Sequence, residues 1–580
     1  MGTLKVLKKI TSMKEMLNLG QDCLGEVLLL LGPEDLVCLR LTCWELMQLE
    51  QQHIAHPTET MARAGLVHPE DAWKHSSTKA WARQALLREI QKVPGIGPRK
   101  SPRILAALEE TKVPFRALCA PFEYYVDVPF PTGLALSSYF DPLWFPLDRK
   151  VMHMAINHLM KSSGDTAKDW GEWVQDLSKL LGTEHEATAE ALATQGHLRG
   201  SSLYQSKHLW AVEQSIAREV RDMKELIGGK WEHCPHLDES QNKAAAMVTA
   251  NRLSIITGGP GSGKTTTIRS LIDAFAHEGP VLLLAPSHCA RIRIQQQTGY
   301  EAQTVQHFTT VSVPVLESTF VVVDESSMVD CHQFLCLLRN VRGANRVVLM
   351  GDANQVESPG LGCVFEDLID SGVVPTAVLR FNHRSNPSIS GVADRILSGD
   401  TALPPCFVPV RNAEEAMAVL ESSSKLQYRC IAFHSDVSKI LCTTNINHRC
   451  TGKEFVVGQV VISVITNKDN GQFNGASGVL VTKLSHGWTV QWAFGGFSDV
   501  AEQDIQAGVA MTGHMAQGSE FDNVAVVIPV GLSRAHRRWL YTAVTRAKKN
   551  LLIVGRPSDW KAAVQQLNRR RTLLLQKLCA

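Results

Sequence analysis

From Leu253 onward the chain repeats one rhythm: a short apolar run, a glycine or polar turn, then a longer stretch of mixed character. The runs "LSIIT", "VLLLAP", "TFVVVDE", "RVVLMGD" and "TAVLRF" do not alternate between apolar and polar positions. Apolar on both faces, they predict buried parallel strands, with helices in the mixed stretches between them. A second set, "RCIAF", "NVAVVIPV" and "NLLIVG", has the same texture. Two groups of buried strands predict two α/β domains in tandem, at residues 236–378 and 379–580. Between the last strands, Phe455 to Val500 does alternate and is rich in glycine and asparagine ("FNGASG"), which predicts a small β-barrel insert at about 452–505. Upstream of His236 the pattern is helical. Residues 1–60 carry the apolar stripe "LGEVLLLLGPEDLVCLRLTCWELMQLEQQ", and 61–112 hold "VPGIGPRKSPRI". Residues 113–148 are broken by prolines and crowded with aromatics, predicting a packed connector, and 149–235 return to polar helices.

Length agrees with this division, since 580 residues suggest roughly four domains at ~150 residues each. A formal net charge of +2 gives weak whole-molecule attraction to an anionic polymer, so any grip on nucleic acid must come from local basic patches. The 14 cysteines include no CxxC pair, which argues against a zinc ribbon or disulfide framework and fits a reducing compartment. No apolar run approaches the ~20 residues of a membrane span, and "MGTLKVLKK" lacks a secretory h-region. The expectation is a soluble intracellular protein without membrane contact, in nucleus or cytoplasm.

The first chemistry is at "ITGGPGSGKTTT". Gly258, Gly263, Lys264 and Thr265 complete the pattern GxxxxGK[ST], after a predicted strand and at the opening of a helix. Along Gly258, Gly259, Pro260, Gly261, Ser262, Gly263, Lys264, Thr265 and Thr266, backbone N–H groups turn inward around phosphates, aided by the helix N-terminus. Lys264 reaches the β and γ phosphates, and the Thr265 hydroxyl ligates Mg²⁺. "FVVVDESSMVD" supplies the rest: Asp324 for the metal, directly or through water, and Glu325 to polarise the attacking water. A small-molecule kinase does not need that adjacent glutamate, and no NKxD guanine reader appears. The chemistry expected is ATP hydrolysis.

The flanking motifs narrow the class. "HLDESQNKAAAMV", "LLLAPSHCAR", "AQTVQHF", "VVLMGDANQVESPGLG", "LRFNHRS", "MTGHMAQGSEFDNVAVVIP" and "LYTAVTRAKKNLLIVG" follow one another in an order and spacing similar to the RecD-like branch of superfamily 1 helicases. The resemblance covers residues 236–580 and extends more weakly upstream. It implies two tandem RecA-like domains with ATP between them. It implies Gln241 as the adenine reader, Gln355 as the γ-phosphate sensor, and Gly518 and Glu520 at the nucleotide. It implies Arg384 and Arg546 as cations from the second domain, arriving only when the cleft closes. It implies 5′→3′ movement on single-stranded DNA or a DNA junction, with Pro286, Ser287, Thr304, His307, Thr512 and His514 facing the strand.

Three departures fall on the strand-facing side. Met515 stands where a lysine is common, Gln306 and His307 replace the usual His-Arg pair, and "SHCAR" replaces a Thr-Gly start. Fewer charged contacts predict weaker, less salt-sensitive binding. The segment from Thr309 to Phe320 has hardly room for the duplex-splitting pin of RecD-like helicases, so translocation is expected to survive better than strand separation.

Two N-terminal segments carry further expectations. "VPGIGPRKSPRI" resembles a helix-hairpin-helix, with Gly95 and Gly97 offering N–H groups to a phosphate and Arg99 and Lys100 adding charge; a plain helix connection is the alternative. Residues 19–46 resemble an F-box, which implies a ubiquitin-ligase adaptor as partner; an amphipathic helical cap is the alternative. Three functions are therefore open: an ATP-dependent DNA helicase or translocase of replication, recombination or repair; an F-box-type adaptor or DNA-bound scaffold that retains a helicase body; and an RNA helicase. Trp488 and Trp492 of "WTVQW" share one face of the insert, so one is expected in its core and one toward DNA. "NRRRTLLLQKL" reads most simply as a solvated helix end.

Overall fold

The computed structural model describes residues 100–110, 129–140, 149–311, 315–379, 386–422, 428–433, 455–467, 470–508, 510–528 and 535–580, with single positions at 83, 87, 90, 91, 93 and 96. They divide into two compact units, one of described residues up to Ser162 with Asp169–Leu198, the other of Ser163–Lys168 with Arg199–Ala580. No helix among the described residues is long and apolar enough to cross a membrane.

The first unit is helical. Its helices run over Ser101–Glu110, Phe130–Phe140, Arg149–Ser163, Trp170–Leu181 and His185–Gln195. Trp170–Leu181 shows why the chain turns where it does. Asp169 caps its start by accepting from Glu172 N, and Gly182 closes it at φ 68°. Its apolar face buries Trp173, Val174, Leu177 and Leu181. Around "VPGIG", Val93 and Ile96 are buried, so the apolar positions of that stretch point inward.

The second unit begins with a ribbon of β1 (Leu198–Gly200) and β2 (Tyr204–Ser206), leading into the helix Lys207–Asp222. Then come β3 (Leu253–Gly258), β4 (Val281–Ala285), β5 (Ala302–Thr304), β6 (Phe320–Val323), β7 (Arg346–Gly351) and β8 (Thr376–Leu379). They form one sheet in the order β5-β4-β6-β7-β3-β8, every pairing parallel. Every residue of β3, β6 and β7 is buried, which explains their largely apolar sequence: helices cover both faces. Burying a Val, Leu or Ile side chain contributes about 1.5–3 kcal/mol, so these strands carry much of the sheet's stability.

After the helix Pro387–Ser398 the chain forms β9 (Phe407–Pro409) and β10 (Arg429–Ala432). It then detours through β11 (Val460–Ser463), β12 (Ser477–Leu484), β13 (Gly487–Trp492), β14 (Phe497–Val500) and β15 (Ile505–Ala507), and returns through β16 (Ala510–Thr512), β17 (Phe521–Val527) and β18 (Ala547–Gly555). The second parallel sheet has the order β16-β10-β17-β18-β9. The architecture is thus two tandem RecA-like domains, each a parallel sheet wrapped by helices.

The detour is a separate antiparallel sheet, β14-β13-β12-β11-β15, closed over one core. Trp488, Val490 and Trp492 are all buried there, and Trp492 donates to Ser498 Oγ at 2.9 Å. The expectation that one tryptophan faces DNA is therefore corrected. The period-2 pattern puts both on one face, and that face is the core.

The C-terminus is also corrected. "NRRRTLLLQKL" is not a solvated helix end. Leu573, Leu574 and Leu578 are buried, and the helix Leu574–Cys579 packs on Lys207–Asp222 and Val364–Ser371. Arg570 donates to the carbonyls of Gly360 at 2.6 Å and Gly362 at 2.9 Å. The last turn of chain therefore completes the first α/β domain rather than the second.

Candidate active site

A cavity of about 610 Å³ opens at the carboxyl ends of β3, β6 and β7, where an open α/β sheet leaves its helix N-termini and loop backbone unshared. Its floor is the loop after β3, Pro260 to Thr266, running into the helix Lys264–Phe275. Gly261 and Gly263 adopt φ of 75° and 81°, a left-handed backbone that turns the loop's N–H groups toward one point. A side chain at Gly258 would collide with Ser262 Oγ at 2.7 Å and Leu379 O at 2.8 Å. Lys264 Nζ donates to Gly258 O at 2.5 Å and Gly259 O at 3.1 Å, so its ammonium is held over the loop.

Asp324 and Glu325 line the opposite wall, just past β6. Burial pushes the Asp324 carboxyl up to about 6; the Glu325 charge adds to this, while Arg293 and Lys264 pull it down. Glu325 has φ 49°, the one positive φ at a non-glycine among the described residues. Such strain is held only where surroundings over-determine it, and it aims this carboxylate into the cavity. Gln241 enters from the helix Glu239–Ala250, fixed by a capping box in which its side chain accepts from Asp238 N at 2.9 Å. Gln355 enters from the loop after β7, its Nε2 3.5 Å from Asp352 Oδ2, with Oε1 buried and unbonded.

The second sheet contributes Glu520 and Arg546. Arg546 is only 2% exposed and is held by Thr542 O at 3.0 Å, Thr545 Oγ1 at 3.2 Å and Ser519 O at 3.3 Å. Here the cleft is drawn together around it, the arrangement in which this arginine is expected to reach the cavity. Four of the contacts that do this surround Asp352 to Glu357. Tyr541 donates to Asp352 Oδ2 at 2.8 Å, Val356 N to Thr542 Oγ1 at 2.8 Å, Gln517 Nε2 to Val356 O at 2.8 Å, and Arg538 to Glu357 at 3.0 Å. The Tyr541 hydroxyl also lies 3.1 Å from where a Cβ would stand on Gly259, so the loop glycine leaves room for the other domain.

The predicted nucleotide residues therefore converge. Pro260, Gly261, Ser262, Gly263, Lys264, Thr265, Thr266, Gln241, Asp324, Glu325, Gln355, Glu520 and Arg546 all line the cavity. Gly258, Gly259 and Gly518 act behind it as carbonyls that hold side chains. Arg384 lies outside the described residues, as do Gly95, Gly97, Arg99 and the whole of 19–46; Lys100 is exposed at the entry to Ser101–Glu110.

The strand-facing candidates occupy a second set of carboxyl ends. Ser287 follows β4, Thr304 ends β5 in register with Ala285, and Thr512 ends β16. All three hydroxyls accept a helix N–H: Ser287 from Ala290, Thr304 from His307, Thr512 from Met515. Pro286 precedes the Ser287 cap, and His307 and His514 are exposed. Although part of the His514 side chain reaches solvent, desolvation by the protein packed around its imidazole, then the Arg570 charge, keeps it below its ordinary pKa.

Sequence reasoning missed two features. Phe473 of the insert stacks on His288 at 4.6 Å and lies under Arg291 at 5.3 Å, so the unusual histidine of "SHCAR" is a docking residue for the insert. Arg293 and Gln297 also line the cavity. Their spacing of four on the helix His288–Thr298, three and seven beyond Ala290, was the available signal.

Two family models match the sequence: one described as an AAA domain over residues 236–421, the other as a UvrD-like helicase C-terminal domain over 507–554. The chain is 28% identical over 469 residues to the "RecBCD enzyme subunit RecD" of Mycolicibacterium smegmatis, covering 66% of this chain and 83% of that protein. It is 28% identical over 462 residues to the "ATP-dependent RecD2 DNA helicase" of Deinococcus radiodurans, covering 72% of this chain and 62% of that protein. The chain is similar to RecD-like helicases. Among solved structures, Bacteroides Pif1 bound to ssDNA aligns with TM-score 0.40 at 17% identity, over 55% of this chain and 92% of that one. The AAA match spans the loop, Asp324 and Glu325, and the C-terminal match spans Glu520 and Arg546, the two walls of one cavity.

Proposed function

We propose that this chain spends ATP to move along single-stranded DNA in the 5′→3′ direction, in replication, recombination or repair. The observation that carries the reading is one cavity walled by both domains: Lys264, Asp324 and Glu325 on one side, Arg546 on the other. A site split this way changes shape as its contents change, and a change between two strand-gripping domains is a step. The relatives' printed names supply DNA as the polymer.

In this mechanism Lys264 and the inward N–H groups of the loop bind the phosphates, and Gln241 orients the base. Glu325 accepts the proton of the attacking water, and Arg546 neutralises charge on the transferring phosphoryl group. The Thr265 hydroxyl and Asp324 carboxylate are hard oxygen donors of the kind Mg²⁺ takes, and a cation there offsets the crowding that raises Asp324. Bound Mg²⁺ supplies charge neutralisation for the β and γ phosphates. Gln355 and Arg384 complete the γ-phosphate contacts.

The test is the ATPase rate of the full chain alone and with single-stranded DNA, single-stranded RNA or duplex DNA. The expected result is stimulation by single-stranded DNA above the other two. Preference for RNA transfers the motor to that polymer, and no stimulation by any of them ends the motor reading.

A further inference from the structure

We propose that Arg293 is a positioning residue of the motor, a bridge across the cleft that makes ATP turnover depend on the bound strand. The inference rests on the DNA-motor reading above and assigns one residue its coupling.

Arg293 reaches from the first domain into the second. Its Nη2 donates to Glu520 Oε1 at 2.5 Å, and its Nη1 donates to Gly518 O at 3.3 Å. Glu520 Oε2 lies 3.6 Å from Lys548 Nζ, so that carboxylate is anchored within its own domain as well. A charge-assisted, two-pronged contact of this kind is strong and tolerates little misalignment. Rotation of one domain against the other breaks it.

What stands at the two ends gives the bridge its meaning. Arg293 belongs to the helix His288–Thr298, whose cap is Ser287. Glu520 follows the helix Gly513–Ala516, whose cap is Thr512. Ser287 and Thr512 are strand-facing candidates from different domains. Six helical steps lead from Ser287 to Arg293, a rigid arm of about 9 Å. A strand gripped at Ser287 and Thr512 therefore fixes the two arms whose far ends meet at Arg293 and Glu520.

The meeting point is in the nucleotide cavity. Burial alone would lower the Arg293 pKa, but Glu520, Glu325 and Asp324 together hold it above the ordinary arginine value. The same guanidinium thus answers to a second-domain carboxylate and to the first-domain carboxylates proposed for metal and water. Arg546 lines the cavity from the second domain while bonded within it; Arg293 reaches across from the first.

The experiment is steady-state ATPase of the full chain, with and without saturating oligo-dT, for wild type, Arg293→Ala, Arg293→Lys, Arg293→Glu, Glu520→Arg and the double reversal Arg293→Glu/Glu520→Arg. Arg293→Ala is expected to lower the strand-stimulated kcat about tenfold, with KM for ATP within about threefold, the range a coupling residue commands. Arg293→Lys, which keeps the charge but not the fork, is expected to recover part of the loss, and it stands in if the alanine variant fails to fold. The double reversal is expected to exceed either single reversal. A raised KM with kcat retained overturns the bridge in favour of a simple phosphate contact. Wild-type stimulation in Arg293→Ala, or a double reversal no better than the singles, overturns it outright. A wild type that no polymer stimulates sinks the motor reading itself, and the bridge with it.

Discussion

Lys264 spends its donors on two carbonyls of its own loop, at 2.5 and 3.1 Å, and packs into no core. Removing it therefore leaves the fold alone and removes the charge meant for phosphate. Lys264→Ala is expected to lower ATP hydrolysis by about 10²-fold or more while the melting temperature holds; unchanged turnover would remove Lys264 from the chemistry. Glu325→Gln keeps size and shape but cannot take a proton. It is expected to bind a fluorescent ATP analogue as wild type does and to hydrolyse ATP about 10²–10⁴-fold more slowly. Wild-type hydrolysis in that variant reassigns the base. These residues were legible because a fixed spacing in the sequence fixes a local backbone: strand, glycine turn, helix. The pairings of Arg293 and Tyr541 were not, because their partners lie 227 and 189 residues away and no local pattern records such pairs.

At the scale of elements, the C-terminal segment shows how a basic run misleads. "NRRR" has the composition of a solvated tail, yet the Arg571 carbonyl accepts from Thr166 and Ala167, and Thr572 donates to Asp367 at 2.7 Å. Further on, Lys577 Nζ meets Glu213 at 2.9 Å and Gln205 at 2.8 Å, with both charged side chains almost fully buried. Breaking a buried pair strands one charge. Lys577→Ala is expected to destabilise the second unit by about 3–5 kcal/mol, whereas Lys577→Met with Glu213→Gln is expected to be close to neutral. Thermal melts that rank the two variants the other way would show that the pair is not what holds the segment. Asp367, in the helix Val364–Ser371, gives the segment a pH dependence. Burial pushes its carboxyl up to about 7, from 3.8. The unfolded chain then releases that proton first, so this contribution is full below pH 3.8 and is lost as pH rises through about 7. His536 works the opposite way: burial lowers it to about 4 from 6.5, so its contribution is lost as pH falls across that interval. Asp367→Asn is expected to remove the first slope and leave the second. A melting temperature that keeps the same decline between pH 4 and 7 in the variant would assign the slope elsewhere. The strands themselves were easily read, since the central strands β3, β6 and β7 are buried along their whole length and β17 and β18 end in buried apolar runs. The C-terminal packing was not, because its apolar positions are few and its charges find partners only in three dimensions.

In the molecule as a whole, the two parallel sheets present their carboxyl ends to one nucleotide cavity and to the proposed strand contacts. Translocation needs only this pair of sheets and a cleft that opens and closes. Splitting a duplex needs something more, a rigid wedge placed where the strands part. The resemblance to RecD-like helicases places such a wedge between the helix Val305–Val311 and β6, and here only residues 312–319 connect them. Of these, Thr319 already turns back toward Leu316 and accepts from Asn345 and Arg346 at the start of β7, so still fewer are left to project. The strand-facing side also lacks the lysine replaced by Met515, which weakens the grip a motor needs when it pushes against base pairs. The expected outcome is a separation of two activities in the pure protein. Movement along single-stranded DNA, read by displacement of streptavidin from a biotinylated oligonucleotide end, is expected to proceed with ATP. Unwinding of a forked duplex under the same conditions is expected to be slow, and to improve as the duplex is shortened or its base pairs weakened. Fast, processive unwinding of a stable fork by the protein alone would contradict this. It would mean that a wedge is supplied from some other part of the chain.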